Sequence, residues 1–277
     1  MRNSSLEILA LTYSTHAIVL RRRDHGEWDR LYTVYTRERG KLLLLGKGTR
    51  RPKAKLASHL EPYAVTDLVL ARGRAMDRIT FARVVESGER FTASWESVQL
   101  AAFGAECIDR LTRDGHRDPL IFDLLRTYLA TIEVAEKGFS PSRRDGEVEG
   151  VGTMNSESLR TAFSLRLLHI LGYAPQLDRC LDCRMPPSPV PVVGIPERGG
   201  IICNRCQPST AAGITLAGDD RGHLIAGSAS FLCKPCTPAV AEFVSALVNH
   251  HLVSSLRTPL AGSVLTRTQV HGKLTMS

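Results

Sequence analysis

From Tyr13 to about Val85, apolar residues come in short runs bounded by Gly, Pro and charged positions, the pattern of β-strands. The runs predict strands at Tyr13–Arg21, Asp29–Thr36, Lys41–Gly46, Leu60–Ala71 and Met76–Val85. The segment Thr36-Arg37-Glu38-Arg39-Gly40 reads as a hairpin turn, with Gly40 free to adopt positive φ. Five short strands joined partly by a polar, basic loop at 46–58 fit a small closed barrel of the OB type. Periodicity alone fits an SH3-like barrel almost as well.

From Ser94 the period lengthens to that of helices. Glu96–Arg113 places Val98, Leu100, Ala101, Ala105, Ile108 and Leu111 on one stripe. Asp118-Pro119 supplies a cap and a first-turn proline for a helix reaching about Glu136. A third helix starts at Asn155 or Ser156 and stops near Gly172. The stretch Gly138–Gly152 reads as an exposed loop. Pro175–Pro208 is Pro-rich and too short for a core of its own, so it needs a staple. Residues 209–232 read as loop, Thr237-Pro238 opens a last helix through Leu252, and the tail beyond Pro259 reads as frayed. The expected organisation is α+β and multidomain: a barrel over 1–85, a helical domain from 86–174 and 237–277, and a cysteine-bearing insertion at 175–236.

Charge changes this picture only in the barrel. The net charge of the 277-residue chain is +8, and residues 1–80 carry all of it, with 16 Lys and Arg against 8 Asp and Glu. Residues 81–277 carry 20 of each. Arg21, Arg22, Arg23, Arg37, Arg39, Lys41, Lys47, Arg50, Arg51, Lys53 and Lys55 lie on or between the predicted strands. Basic residues so placed are the footprint of a sheet laid against a phosphate backbone. Trp28, Tyr32, Tyr35 and Tyr63, with His16 and His59, offer rings for base stacking, although strand alternation turns some of them into the core.

Cysteines bring the second candidate chemistry. Cys180 and Cys183 form one CxxC, Cys203 and Cys206 another, and 19 residues separate them. Two such turns build a tetrahedral all-thiolate Zn²⁺ site without an open position, hence a structural one. Buried free thiols or a redox pair are the alternatives. A third pair, Cys233 and Cys236, could exchange with the first two, hold a second ion or do nothing. Cys107 sits among apolar neighbours as a small core residue.

Other chemistries find little support. The stretch from Gly40 to Gly48 departs from the P-loop pattern, with five residues between the first glycines and Gly48 after Lys47, so no nucleotide cofactor is expected. Asp24, Glu27 and Asp29 sit among arginines and read as their partners, and His250-His251 stands without companion ligands. No run approaches the ~20 apolar residues of a membrane span, and no secretory leader is visible. Cytoplasmic residence and a non-enzymatic role are the expectations. A zinc-dependent nucleic-acid hydrolase and an RNA-binding OB protein are the rival readings.

The block AIVLRRRDHGEWDRLYTVYTRERGKLLLLGKGTRRPKAK, with HLEPY after it, resembles the RecO family of bacterial DNA repair and recombination proteins. SLRLLHILGYAPQLDRCLDC and GGIICNRC resemble that family's helix and zinc module. The resemblance spans about 13–206, and residues 207–236 depart from it. It implies an OB-fold that binds single- and double-stranded DNA, a helical domain and a four-cysteine zinc site. It also implies a mediator beside the nucleoid that anneals complementary strands. In that role it binds the single-stranded-DNA-binding protein and joins RecR to load RecA. DNA contacts would fall on the basic strands and on Lys47–Lys55.

Overall fold

The computed structural model describes residues 12–91, 94–138, 155–187, 191–207, 213–227 and 235–256. Of the loop expected at Gly138–Gly152, Gly138 instead ends a helix, and residues 139–152, Cys233 and the tail beyond Pro259 lie outside the described residues.

Strands β1 (Thr12–His25), β2 (Asp29–Thr36), β3 (Gly40–Gly46), β4 (Val65–Ala71) and β5 (Asp77–Glu86) close into a barrel of order β1-β2-β3-β5-β4. All pairings are antiparallel except β3 with β5, which join at Leu44↔Asp77 and Leu45↔Arg78. This is the OB-like arrangement rather than the SH3-like one. Ala17 and Val19 point inward with Tyr32, Val34, Leu44, Leu68 and Ile79. Ile18 and Leu20 point outward yet are equally buried, because helices cover that face. Burial on both faces explains why this strand reads as a continuous apolar run instead of an alternating one.

Two strand boundaries differ from the sequence expectation by more than one residue. β1 runs on to His25 rather than ending at Arg21, its register shifting at a bulge between Val19 and Arg21. A bulge bends a strand and deepens its twist, letting one long strand serve two neighbours of a small barrel. β4 starts at Val65 rather than Leu60, because Ala57–His59 forms a 3₁₀ turn and Tyr63 adopts φ 67°.

Helices α1 (Trp95–Leu111), α2 (Pro119–Gly138), α3 (Ser156–Ile170) and α5 (Pro238–Leu256) form the helical layer. Their starts follow local capping chemistry. Ser94 accepts the Ser97 amide, Asp118 accepts the Leu120 amide at 2.9 Å, and Asn155 accepts those of Glu157 and Ser158. Gly172, at φ 80°, follows the end of α3. Ile108, Leu125, Phe163, Phe243 and Leu247 share one core with Ile18, Leu20, Tyr35 and Val65 of the barrel.

The cysteine-bearing segment carries more structure than its sequence promises. β6 (Val192–Ile195) pairs with both β7 (Gly200–Ile202) and β8 (Ile214–Leu216), and α4 (Gly218–Ala226) follows. The loop expected across 209–232 is therefore corrected at 214–226. Asp220 explains part of this: its carboxylate accepts the Ala217 amide and the Thr237 hydroxyl, pinning α4 to the start of α5. Gly194 lets Phe243 of α5 lie directly on the small sheet, which borrows its core from the helices.

Candidate nucleic-acid interface and metal centre

The sequence groups the barrel's cations by charge, and the structure sorts them by partner. Arg21 Nε lies 2.8 Å from Asp109, and Arg37 lies 3.0 Å from Asp123, so both tie the barrel to helices. Lys41 is largely buried. Its Nζ donates to the carbonyls of Asp109 and Thr112 at the C-terminal end of α1 and sits 3.2 Å from Asp114. A cation there satisfies carbonyls left open by the helix and complements its dipole. Arg22 pairs with Glu61 within the barrel.

A different group converges at one end of β2. The hairpin between β1 and β2 carries Trp28, which is 43% exposed. The loop after β3 is fastened to that hairpin: the Gly48 amide donates to Asp29 at 2.7 Å, and the Arg50 amide donates to the Trp28 carbonyl at 2.9 Å. Arg50 also reaches the Gly26 carbonyl and Asp24. Asp24 pairs with Arg30 and Arg50 as its setting predicts, whereas Asp29 braces the Gly48 amide instead of an arginine.

Between hairpin and loop lies an open cleft of about 570 Å³, lined by His25, Glu27, Trp28, Lys47 and Arg51. The Arg51 guanidinium sits 5.9 Å from the Trp28 ring centroid. Arg23, Lys47, Arg51, Lys53 and Lys55 are exposed and have no carboxylate partner among the described residues. An exposed indole beside unpaired cations can stack a base and neutralise its phosphate together.

The other rings do not join it. Tyr32 and Tyr35 are fully buried, and Tyr63 packs edge-on against Phe91. His16 faces Asp67 at 2.6 Å, and the half-buried His59 lies near the loop's end. Of the named cations, Arg39 stands apart, over the ring of Tyr13 at the opposite end of β2. Sequence reasoning passed over Arg72, which approaches the same ring. The signal was present in Ala71-Arg72-Gly73-Arg74, an arginine-bearing turn between two strands.

The candidate metal centre is built from two knuckles. Cys180, Cys183, Cys203 and Cys206 bring their sulfurs within 4.8 Å of one another. Gln176 pairs with Gly200 and the Leu181 amide donates to Ile201, clamping the first knuckle to the strand that leads into the second. Val193, Ile195 and Ile202 pack against Cys180. Burial raises the Cys180 thiol, but the amides of Cys203, Cys183 and Asp182 outweigh it and bring it down to about 6. Four soft donors, an apolar cradle and N–H groups aimed at sulfur fit a metal ion. Cys236 takes no part. It is buried at the start of α5, where its amide donates to the Ser158 hydroxyl at 3.0 Å. Cys107 is wholly buried, and burial pushes its thiol up, as expected of a core residue.

Residues 10–88 match the family model for Recombination protein O N terminal, and residues 151–221 match that for Recombination protein O C terminal. The DNA repair protein RecO of Rubrobacter xylanophilus is 33% identical over 198 residues, covering 70% of this chain and 71% of its own length. The chain belongs to the RecO family. RecO of Heliobacterium modesticaldum is 35% identical over 200 residues, which span 70% of this chain and 66% of that protein. RecO of one Dehalococcoides mccartyi strain is 29% identical over 205 residues, 74% of each chain. The first RecO match contains the barrel, and the second contains α3 and the four cysteines. Among the described residues, no helix of this RecO-family chain is long and apolar enough to cross a membrane.

Proposed function

We propose that this RecO-family chain is a non-enzymatic DNA-binding mediator that anneals complementary strands. With RecR, it helps load RecA on DNA coated by the single-stranded-DNA-binding protein. The observation that carries the DNA contact is the Trp28 cleft, where an exposed ring and the unpaired cations Lys47 and Arg51 meet on a braced loop. Lys53, Lys55 and Arg23 extend the cationic surface beyond it. Phosphate neutralisation binds either form of DNA, and ring stacking adds preference for single strands. The RecR, coating-protein and nucleoid roles rest on family membership.

Zn²⁺ is the ion this reading assigns to Cys180, Cys183, Cys203 and Cys206. Bound there, it supplies a rigid cross-link between the knuckles and leaves no open position for chemistry. The test is annealing of complementary strands by purified protein without nucleotide, one strand pre-coated with its cognate single-stranded-DNA-binding protein. Faster annealing, removed by Lys47→Glu with Arg51→Glu, is the expected result. Tight DNA binding without annealing would overturn the mediator role and leave a DNA-binding barrel.

A further inference from the structure

The barrel has a second cation–aromatic cluster. Tyr13, near the start of β1, holds two guanidiniums against its ring, Arg39 at 4.1 Å from the centroid and Arg72 at 5.8 Å. The two guanidinium carbons are therefore no more than about 10 Å apart. They come from different turns, β2–β3 and β4–β5, and the barrel's closure alone brings them together. Arg39 and Arg72 are exposed, and neither has a carboxylate partner among the described residues. The local acid, Asp77, is occupied by the Tyr13 hydroxyl at 2.5 Å and the Gly73 amide at 3.0 Å. Burial and the bond to Asp77 push the Tyr13 phenol up to about 12, so its ring stays neutral.

This cluster cannot be part of the Trp28 cleft. Trp28 lies in the turn before β2 and Arg39 in the turn after it, and β2 is 8 residues long. At ~3.3 Å per residue the two turns stand roughly 26 Å apart. Between them the outward face of β2 is closed: Thr33 and Tyr35 are buried, and Tyr35 donates to the Asp118 carbonyl beneath the helical layer. An intervening stretch with neither exposed ring nor free cation on β2 favours two separate contacts over one continuous track.

We propose that Tyr13, Arg39 and Arg72 form a second phosphate-binding site, which receives the backbone of another nucleic-acid strand while the Trp28 cleft holds the first. This rests on the DNA-binding reading above and adds that one barrel holds two strands at once. Two guanidiniums steadied on a ring present donors in the fork geometry that suits phosphate oxygens. Each strand is partly neutralised at its own end, so repulsion between the strands falls before they pair.

The test mixes the full chain with two non-complementary oligothymidylates of about eight nucleotides, within the ~4–16-nucleotide footprint of an OB barrel. One carries a donor dye and the other an acceptor. Wild type is expected to give energy transfer from a ternary complex. Arg39→Ala with Arg72→Ala is expected to weaken the ternary complex about a hundredfold or more, since each charge-assisted contact accounts for roughly tenfold. It should leave affinity for a single oligonucleotide within about twofold. Affinity for the single strand falling in parallel with the ternary signal would show one continuous track and overturn the proposal. An unchanged ternary signal in this variant would overturn it too, while leaving the Trp28 site standing. Failure of wild type to bind either oligonucleotide would sink both readings together.

Discussion

Lys41 donates to the Asp109 carbonyl at 2.5 Å, so a lysine from the basic stretch of the barrel closes the end of a helix 68 positions further on. The next residue back is tied to the same place. Gly40 has φ 70°, and a side chain there would meet the His116 carbonyl at 2.0 Å. Lys41→Met should cost about 1–3 kcal/mol of stability through two lost charge-assisted bonds. Gly40→Ala should cost about 3 kcal/mol or more. Urea unfolding checks both. DNA affinity of the folded Lys41 variant should stay near wild type, and a loss comparable to that of Lys47→Glu would place Lys41 on the interface instead.

Trp28→Ala should weaken single-stranded DNA binding by about 1–3 kcal/mol, while Trp28→Phe should retain most of it. Since a ring releases no counterions, the salt dependence should keep its slope. Titration by anisotropy at several salt concentrations would separate these outcomes, and a changed slope would mean that the indole positions a cation rather than a base.

Lys47→Gln with Arg51→Gln should flatten the salt slope by ~0.7 per lost single-strand contact. Arg50 acts differently because it braces the hairpin through Gly26 and Asp24. Arg50→Ala should therefore speed amide exchange at residues 46–51, an effect the double variant should lack. Equal exchange in the two variants would remove the distinction.

Cys203→Ser should lower bound zinc and make residues 175–207 protease-sensitive, because Val193, Ile195 and Ile202 rely on the knuckles for their packing. Cys236→Ser should leave the zinc content unchanged. A fall in metal content with Cys236→Ser would bring the third cysteine pair back into the site.

Tyr13 and Tyr35 are both pushed up to about 12, in each case chiefly by burial. An unfolded tyrosine ionises near pH ~10. Their contribution to stability is therefore complete below ~10 and is lost as pH rises toward 12, since the unfolded chain gives up its protons first. The urea midpoint should fall across that window, and Tyr35→Phe should shrink the fall. A variant with the same fall as wild type would show that Tyr35 ionises without unfolding.

What the sequence made legible was local. The four clustered cysteines lie in two short knuckles, and Ser94, Asp118 and Asn155 announce helices through residues within one turn. What stayed hidden was long-range. Arg21, Arg37 and Lys41 look the same as Lys47 and Arg51 along the chain, because their partners Asp109, Asp123 and Asp114 arrive only when the helices dock. Arg72 escaped notice for the reciprocal reason, as its companion Arg39 lies in a different turn and meets it only when the barrel closes. The small sheet was missed because β7 and β8 are three residues each, and Ile201 and Leu216 are buried only by joining the helical core.

Strand β1 faces the barrel interior through Ala17 and Val19 and the helical core through Ile18 and Leu20. It is a party wall. Cutting the chain after the barrel would strip the cover from Ile18, Leu20, Tyr35 and Val65, so the excised half should be sticky and prone to collapse. Because that wall belongs to both cores, barrel and helices should melt together.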